Sequence, residues 1–125
     1  MLKVLHIVPY YFPRFGGTSI RLRGLMKPIA ADSLYDIHFI CPRYNRHGDY
    51  QYNETVPDLE ILDQIIIHRV DKFIDLFTKG FKLVRELEFD IIHSHNLGLS
   101  LAGTTLSNLT GCKHIIELHT ITEHS

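Results

Sequence analysis

Apolar and polar positions along this chain alternate between two periods. Short runs of β-branched residues are separated by stretches in which apolar residues return every three or four positions. Lys3 to Val8 carries Val4, Leu5, Ile7 and Val8 and reads as a buried strand. Pro9 to Gly17 is a loop with two prolines and a Gly-Gly pair. A helix is predicted from about Thr18 to Ala31, with Thr18 or Ser19 as N-cap and Ile20, Leu25, Met26 and Ile29 as its apolar stripe. Asp36 to Cys41 is a second strand, stopped by Pro42. Arg43 to Asp58 is polar and rich in Tyr, Asn, His and Arg, a length and composition expected of a functional or disordered loop. Leu59 to Leu62 and Ile65 to Val70 form a hairpin about Asp63-Gln64. Phe73 to Glu88 is an amphipathic helix with Ile74, Phe77, Phe81 and Val84 at helical spacing. Asp90 to His95 is a strand, Asn96 to Leu109 a helix, and Lys113 to Leu118 a strand, with Gly111 placed as a C-cap glycine.

Strands alternating with helices imply parallel pairing and right-handed crossovers, hence an α/β fold with a Rossmann-like parallel sheet flanked by helices. The 125 residues suit one domain. The chain ends just after a strand and before any covering helix, so a larger parent is expected. Thirteen basic residues against fourteen acidic ones leave a net charge of −1, which does not argue for nucleic acid, whose binders carry a basic excess on one face. Two cysteines make no disulfide framework. The apolar N-terminal run stops at Pro9 without a cleavage site, and no segment approaches a membrane span, so a cytoplasmic location is expected. Lys72, Lys79, Lys82 and Arg85 sit among the aromatics of the Phe73 helix and offer a face for peripheral membrane contact, which Asp75, Glu86 and Glu88 dilute.

Nine histidines stand out. Ligands of an open α/β sheet bind beyond the carboxyl ends of its strands, and three polar features fall there. Gly16-Gly17-Thr18-Ser19 is either a phosphate-binding loop at a helix N-terminus or a simple strand-to-helix turn. It matches neither the Walker pattern nor the dinucleotide fingerprint. His93 and His95 share one face of an extended strand, as a ligand-contacting pair or as a core histidine and a strand-end histidine; the core role suits His93 and function suits His95 at the exposed end. His119 emerges at the rim after Ile115-Ile116-Glu117, where imidazole can bond a sugar hydroxyl or a phosphate oxygen, or cap a frayed end. Cys41 and Cys112 lack an evident base.

Lys3 to Gly17, then Asp90-Ile-Ile-His-Ser-His95, then Ile115-Ile-Glu-Leu-His119 resemble, in order and spacing, the landmarks of family 4 glycosyltransferases of GT-B architecture. Ile65 to Val70 resembles that family's short third-strand hairpin. The resemblance covers the whole chain and implies a truncated N-terminal, acceptor-side half of a GT-B fold, one incomplete domain over residues 1–125 whose C-terminal donor-binding domain is missing. It implies a partnership with a nucleotide-sugar donor and an acceptor that is a sugar, a lipid-linked group or a small molecule, with transfer by retention and no metal or other cofactor. It places Gly16, Gly17, Thr18 and His95 by the donor diphosphate and sugar, and makes His119 the catalytic-site histidine that orients the donor sugar. Arg21, Arg43 and Tyr44 are the acceptor-side candidates, with Arg46, Tyr50 and Tyr52 in the same polar loop. The chain departs from the family at Thr120, where Gly or Asp is frequent, and at Gln64, where glycine is common. Without the donor half, the isolated chain is expected to be inactive. Two other readings stand beside this one: a metal-dependent hydrolase using His93, His95, His119 and Glu117, and a binding module without catalysis.

Overall fold

The computed structural model describes residues 1–116, apart from the Leu97 side chain. Six strands, β1 (Leu2–Ile7), β2 (Tyr35–Pro42), β3 (Leu59–Leu62), β4 (Ile65–Val70), β5 (Ile91–Ser94) and β6 (Lys113–Ile116), form one sheet. Its order is β3-β4-β2-β1-β5-β6. Every pairing is parallel except β3 with β4. The helices are α1 (Gly17–Ala30), α2 (Ile74–Leu87) and α3 (Ser100–Thr110), the last preceded by a 3₁₀ turn at Leu97–Leu99. The result is a mostly parallel mixed sheet flanked by helices, a Rossmann-like α/β fold.

The two-residue period of the strands divides the core into two layers. Val4, Val8, Ile37, Phe39, Ile65 and Ile67 face α1, where Leu22 and Ala30 are buried against them. Leu5, Ile7, Ile40 and Ile92 face α2 and α3, packing on Leu76, Leu83, Val84, Ala102 and Leu106. Both faces of the central strands are thus covered, which explains their nearly continuous apolar sequences.

The predicted elements recur with shifts at their ends, the largest in α3, whose first turn is the 3₁₀ turn; the predicted end of the last strand, at Leu118, lies outside the described residues. The α1 stripe is corrected: Ile20 and Leu25 are about half exposed, while Leu22 is buried and Met26 and Ile29 pack at the margin. In α2, Ile74 is exposed and Leu76 is the fully buried residue. The hairpin turn lies where predicted, with both Asp63 and Gln64 at positive φ (51° and 66°). The two positive values are those of a type I′ turn, whose twist suits tightly joined antiparallel strands. Gly111 also has positive φ (77°) and caps α3 through its N–H to the Ser107 carbonyl.

The long polar loop is folded. Tyr44 bridges to Tyr50, and Tyr52 and Val56 are buried. Arg43 ties its ends together, pairing with Asp58 and, at 2.8 Å, with Asp71, and donating to the Val56 carbonyl. Arg69, its side chain fully buried, donates to Glu60 and to the Phe12 carbonyl, each at 2.6 Å. It joins β3 and the end of β4 to the loop that follows β1.

Candidate functional site

The chain leaves β1 toward β2 on one side and reaches β5 on the other, so the strand order reverses between β1 and β5. Such a switch point opens a crevice beyond the carboxyl ends of the strands. Here the loops after β1, β2 and β5 surround a cavity of about 370 Å³, lined by Pro9, Pro42, Tyr44, Gln51, Phe73 and Asn96 among others. Its size lies within the usual range for small-molecule sites, and its walls mix aromatic rings with amide groups. Gln51 holds the floor in shape: its Nε2 donates to the Pro9 carbonyl at 3.0 Å and the Pro42 carbonyl at 2.9 Å. Its Oε1 accepts from Arg14. One side chain therefore fixes the β1 and β2 loops to each other.

The glycine pair divides its roles. Gly16 is the N-cap of α1, with extended backbone, so neither Thr18 nor Ser19 caps it as expected. Ser19 lies one turn in and is fully buried. Its Oγ accepts the Gly16 N–H at 3.1 Å and donates to the Arg14 carbonyl at 2.7 Å. The Thr18 N–H donates to the Tyr10 hydroxyl at 3.1 Å. A Cβ on Gly16 would come within 2.5 Å of that hydroxyl, so a side chain there would displace Tyr10 from the Thr18 amide. Gly17 is exposed, and a Cβ there would meet nothing within 4 Å. Gly17 is thus the open side of the loop, while the Thr18 amide is already engaged within the protein.

His93 and His95 project to one side of β5, as their spacing requires, on the face that carries α1. His6 joins them from β1, where it stands opposite His93 in the parallel register. The Nδ1 of His6 lies 2.7 Å from the Nε2 of His95. The His93 and His95 rings stack with centroids 4.3 Å apart and 9° between planes. His6 lies 5.0 Å from His93 and 4.9 Å from His95, centroid to centroid. The edge of Phe39 closes the far side of His6 at 5.4 Å. His95 does not lie at an exposed end: it is 2 % exposed, and its N–H donates to the Ile7 carbonyl, extending the β1–β5 ladder. His93 is the half-buried member. Burial, and then the neighbouring His93, push the His6 pKa down to about 3. A desolvated imidazole resists a charge it cannot hydrate.

On the opposite sheet face, Ser94 Oγ lies 2.8 Å from His114 Nε2. This pair sits under α3 at Gly103, where a Cβ would fall 2.2 Å from each of those atoms. Of the acceptor-side candidates, Tyr44 lines the cavity and packs edge-on to Tyr50. Arg43 is built into the loop by its two carboxylates, and Arg21 lies exposed on α1. Cys41 is buried, and its thiol pKa is raised by that burial. His119 and Glu117 lie outside the described residues. His6 and Gln51 went unnoticed in the sequence; the only signal for His6 was a histidine within an apolar strand.

Fold and rim together define an α/β domain with a ligand-sized crevice at the switch point of a Rossmann-like sheet. No protein-family model matches the chain, and no curated protein matches it. Among the described residues, no helix is long and apolar enough to cross a membrane.

Proposed function

We propose that this chain is the acceptor-side domain of a nucleotide-sugar-dependent glycosyltransferase, in which a second domain presents the donor. The observation that carries the reading is the convergence at the β1–β5 switch point. The loop that leads from β1 into α1, open at Gly17, and the aromatic-walled cavity both lie beyond the carboxyl ends of the strands there, with His95 buried beneath them. Tyr44 and Phe73 offer faces for the C–H surface of a sugar ring. Asn45, Arg46 and Asn96 supply donors and acceptors for its hydroxyls. The helix dipole of α1 favours negative charge beside Gly17, where a donor diphosphate would approach. Charge neutralisation by a helix end and basic side chains lets transfer proceed without a metal in the reacting step.

The sequence resemblance supports the same assignment, with His119 beside the donor sugar and the departing nucleoside diphosphate held by the second domain. The acceptor, whether a free sugar, a lipid-linked sugar or another small molecule, enters the cavity between the β1, β2 and β5 loops. The test is saturation-transfer NMR on the 125-residue chain with glycosides, sugar phosphates and detergent-solubilised polyprenyl-linked sugars. One acceptor class should bind, and Tyr44→Ala or Phe73→Ala should weaken it about tenfold, the scale of one lost aromatic platform. Binding that both substitutions leave unchanged, or no binding across the panel, would remove the acceptor site from this crevice.

A further inference from the structure

We propose that His6, His93 and His95 form a binding site for one zinc-type divalent ion, which clamps β1 to β5 at the carboxyl rim. One candidate ligand nitrogen from each of the three lies within 4.8 Å of the others. Their backbones fix this arrangement. His93 and His95 are two apart on one strand, and the parallel register sets His6 directly across from His93. Three imidazoles on two hydrogen-bonded strands are a preorganised set, because no loop has to close to bring them together.

The donor chemistry selects the ion. The cluster is all imidazole nitrogen, which suits zinc, copper or nickel and excludes calcium and magnesium, whose ligands are oxygens. Tetrahedral zinc holds its nitrogens at about 2.0–2.1 Å, so two ligand nitrogens stand roughly 3.3 Å apart. His6 Nδ1 and His95 Nε2 are already at 2.7 Å, so they need part by only roughly half an ångström. His93, stacked on His95, has a ligand nitrogen within 4.8 Å of the other two and is the member that must move furthest to reach the third vertex. Phe39 and the buried positions of His6 and His95 provide a dry wall, and half-buried His93 provides the way in. The ion acts as a clamp between the two strands that frame the crevice. It takes no part in group transfer, so the site stands or falls independently of the glycosyltransferase reading.

The test uses the untagged 125-residue chain, stripped with chelator and then given one equivalent of Zn²⁺ or Co²⁺. One equivalent of metal should survive gel filtration, and Co²⁺ should give the intense visible bands of a tetrahedral site. Saturating Zn²⁺ should raise Tm by about 5 °C or more, as expected of a ligand that binds only the folded state. His93→Ala should weaken retention at least tenfold, while His47→Ala and His68→Ala leave it unchanged. Should His93→Ala unfold the chain, long-range ¹H–¹⁵N spectra of the wild-type histidines replace it: only His6, His93 and His95 should shift on adding Zn²⁺. Absence of retained metal, a weak octahedral Co²⁺ spectrum, or equal retention by His93→Ala would overturn the site.

Discussion

Gly103 is where the packing of α3 on the sheet is least forgiving. Its missing side chain leaves room for the Ser94–His114 hydrogen bond, and a Cβ would fall 2.2 Å from both Ser94 Oγ and His114 Nε2. Gly103→Ala therefore forces α3 to lift or the pair to break. Overpacking of this kind costs about 1–3 kcal/mol, and loss of the part-buried hydrogen bond adds about 0.5–1.5. The alanine returns about 1 kcal/mol through helix propensity, leaving a net loss of roughly 0.5–3.5 kcal/mol. Gly24, exposed in the middle of α1 with nothing within 4 Å of its would-be Cβ, is the internal control. Gly24→Ala should gain up to about 1 kcal/mol for the same change in propensity. Urea denaturation followed by circular dichroism reads both as shifts in midpoint at constant slope. If Gly103→Ala proves as stable as Gly24→Ala, the close approach of α3 to Ser94 and His114 is refuted.

Two further perturbations follow from the polar groups inside the fold. His38 Nδ1 and His68 Nε2 are 2.9 Å apart and buried; burial lowers the pKa of both, that of His68 to about 4. The unfolded chain, with histidines near 6.5, takes up protons first as the solution is acidified. Stability contributed by His68 is therefore full above about pH 6.5 and is lost as pH falls toward 4. The shift from 6.5 to about 4 carries at most about 3 kcal/mol, and solvent screening near the sheet edge reduces this to roughly 1–2 kcal/mol. Urea midpoints at pH 7.5 and 4.5 should differ by more than this, because buried His6 loses stability over the same range, and His68→Asn should remove only its own share of the difference; an unchanged pH dependence in that variant would place the effect elsewhere. Gln51→Ala removes the donor shared by the Pro9 and Pro42 carbonyls and should cost about 1–2 kcal/mol. Amide exchange should then quicken in the loops after β1 and β2, and exchange as slow as in the parent would show that Gln51 does not hold them.

The order of elements was legible because strands and helices here differ in period, and because Pro42 and Gly111 punctuate them. The hairpin was legible from its flanking β-rich runs, although Asp63 and Gln64 adopt positive φ without the help of glycine. The inward side of α1 was not. Ile20, Leu22, Leu25, Met26 and Ile29 offer more than one helical stripe, and only the docking of α1 on β1 and β2 chooses Leu22 over Ile20 and Leu25. The rim could be located, since β-strand carboxyl ends follow from topology, but its interior could not. His6 sits between apolar neighbours ninety residues or so from its partners, and the β1–β5 register alone brings it to His95. The same register buries His95, which sequence position alone put at an exposed end.

The central claim, that this domain receives the acceptor in nucleotide-sugar-dependent transfer, is tested most directly by nucleoside diphosphate release. The protein made from the whole reading frame that encodes the chain would be incubated with a panel of nucleotide sugars, with and without the acceptor class found to bind the crevice. The account predicts acceptor-dependent release from one donor, reduced at least tenfold by Tyr44→Ala. A folded protein that releases no nucleoside diphosphate from any donor, in the presence of a bound acceptor, would contradict it.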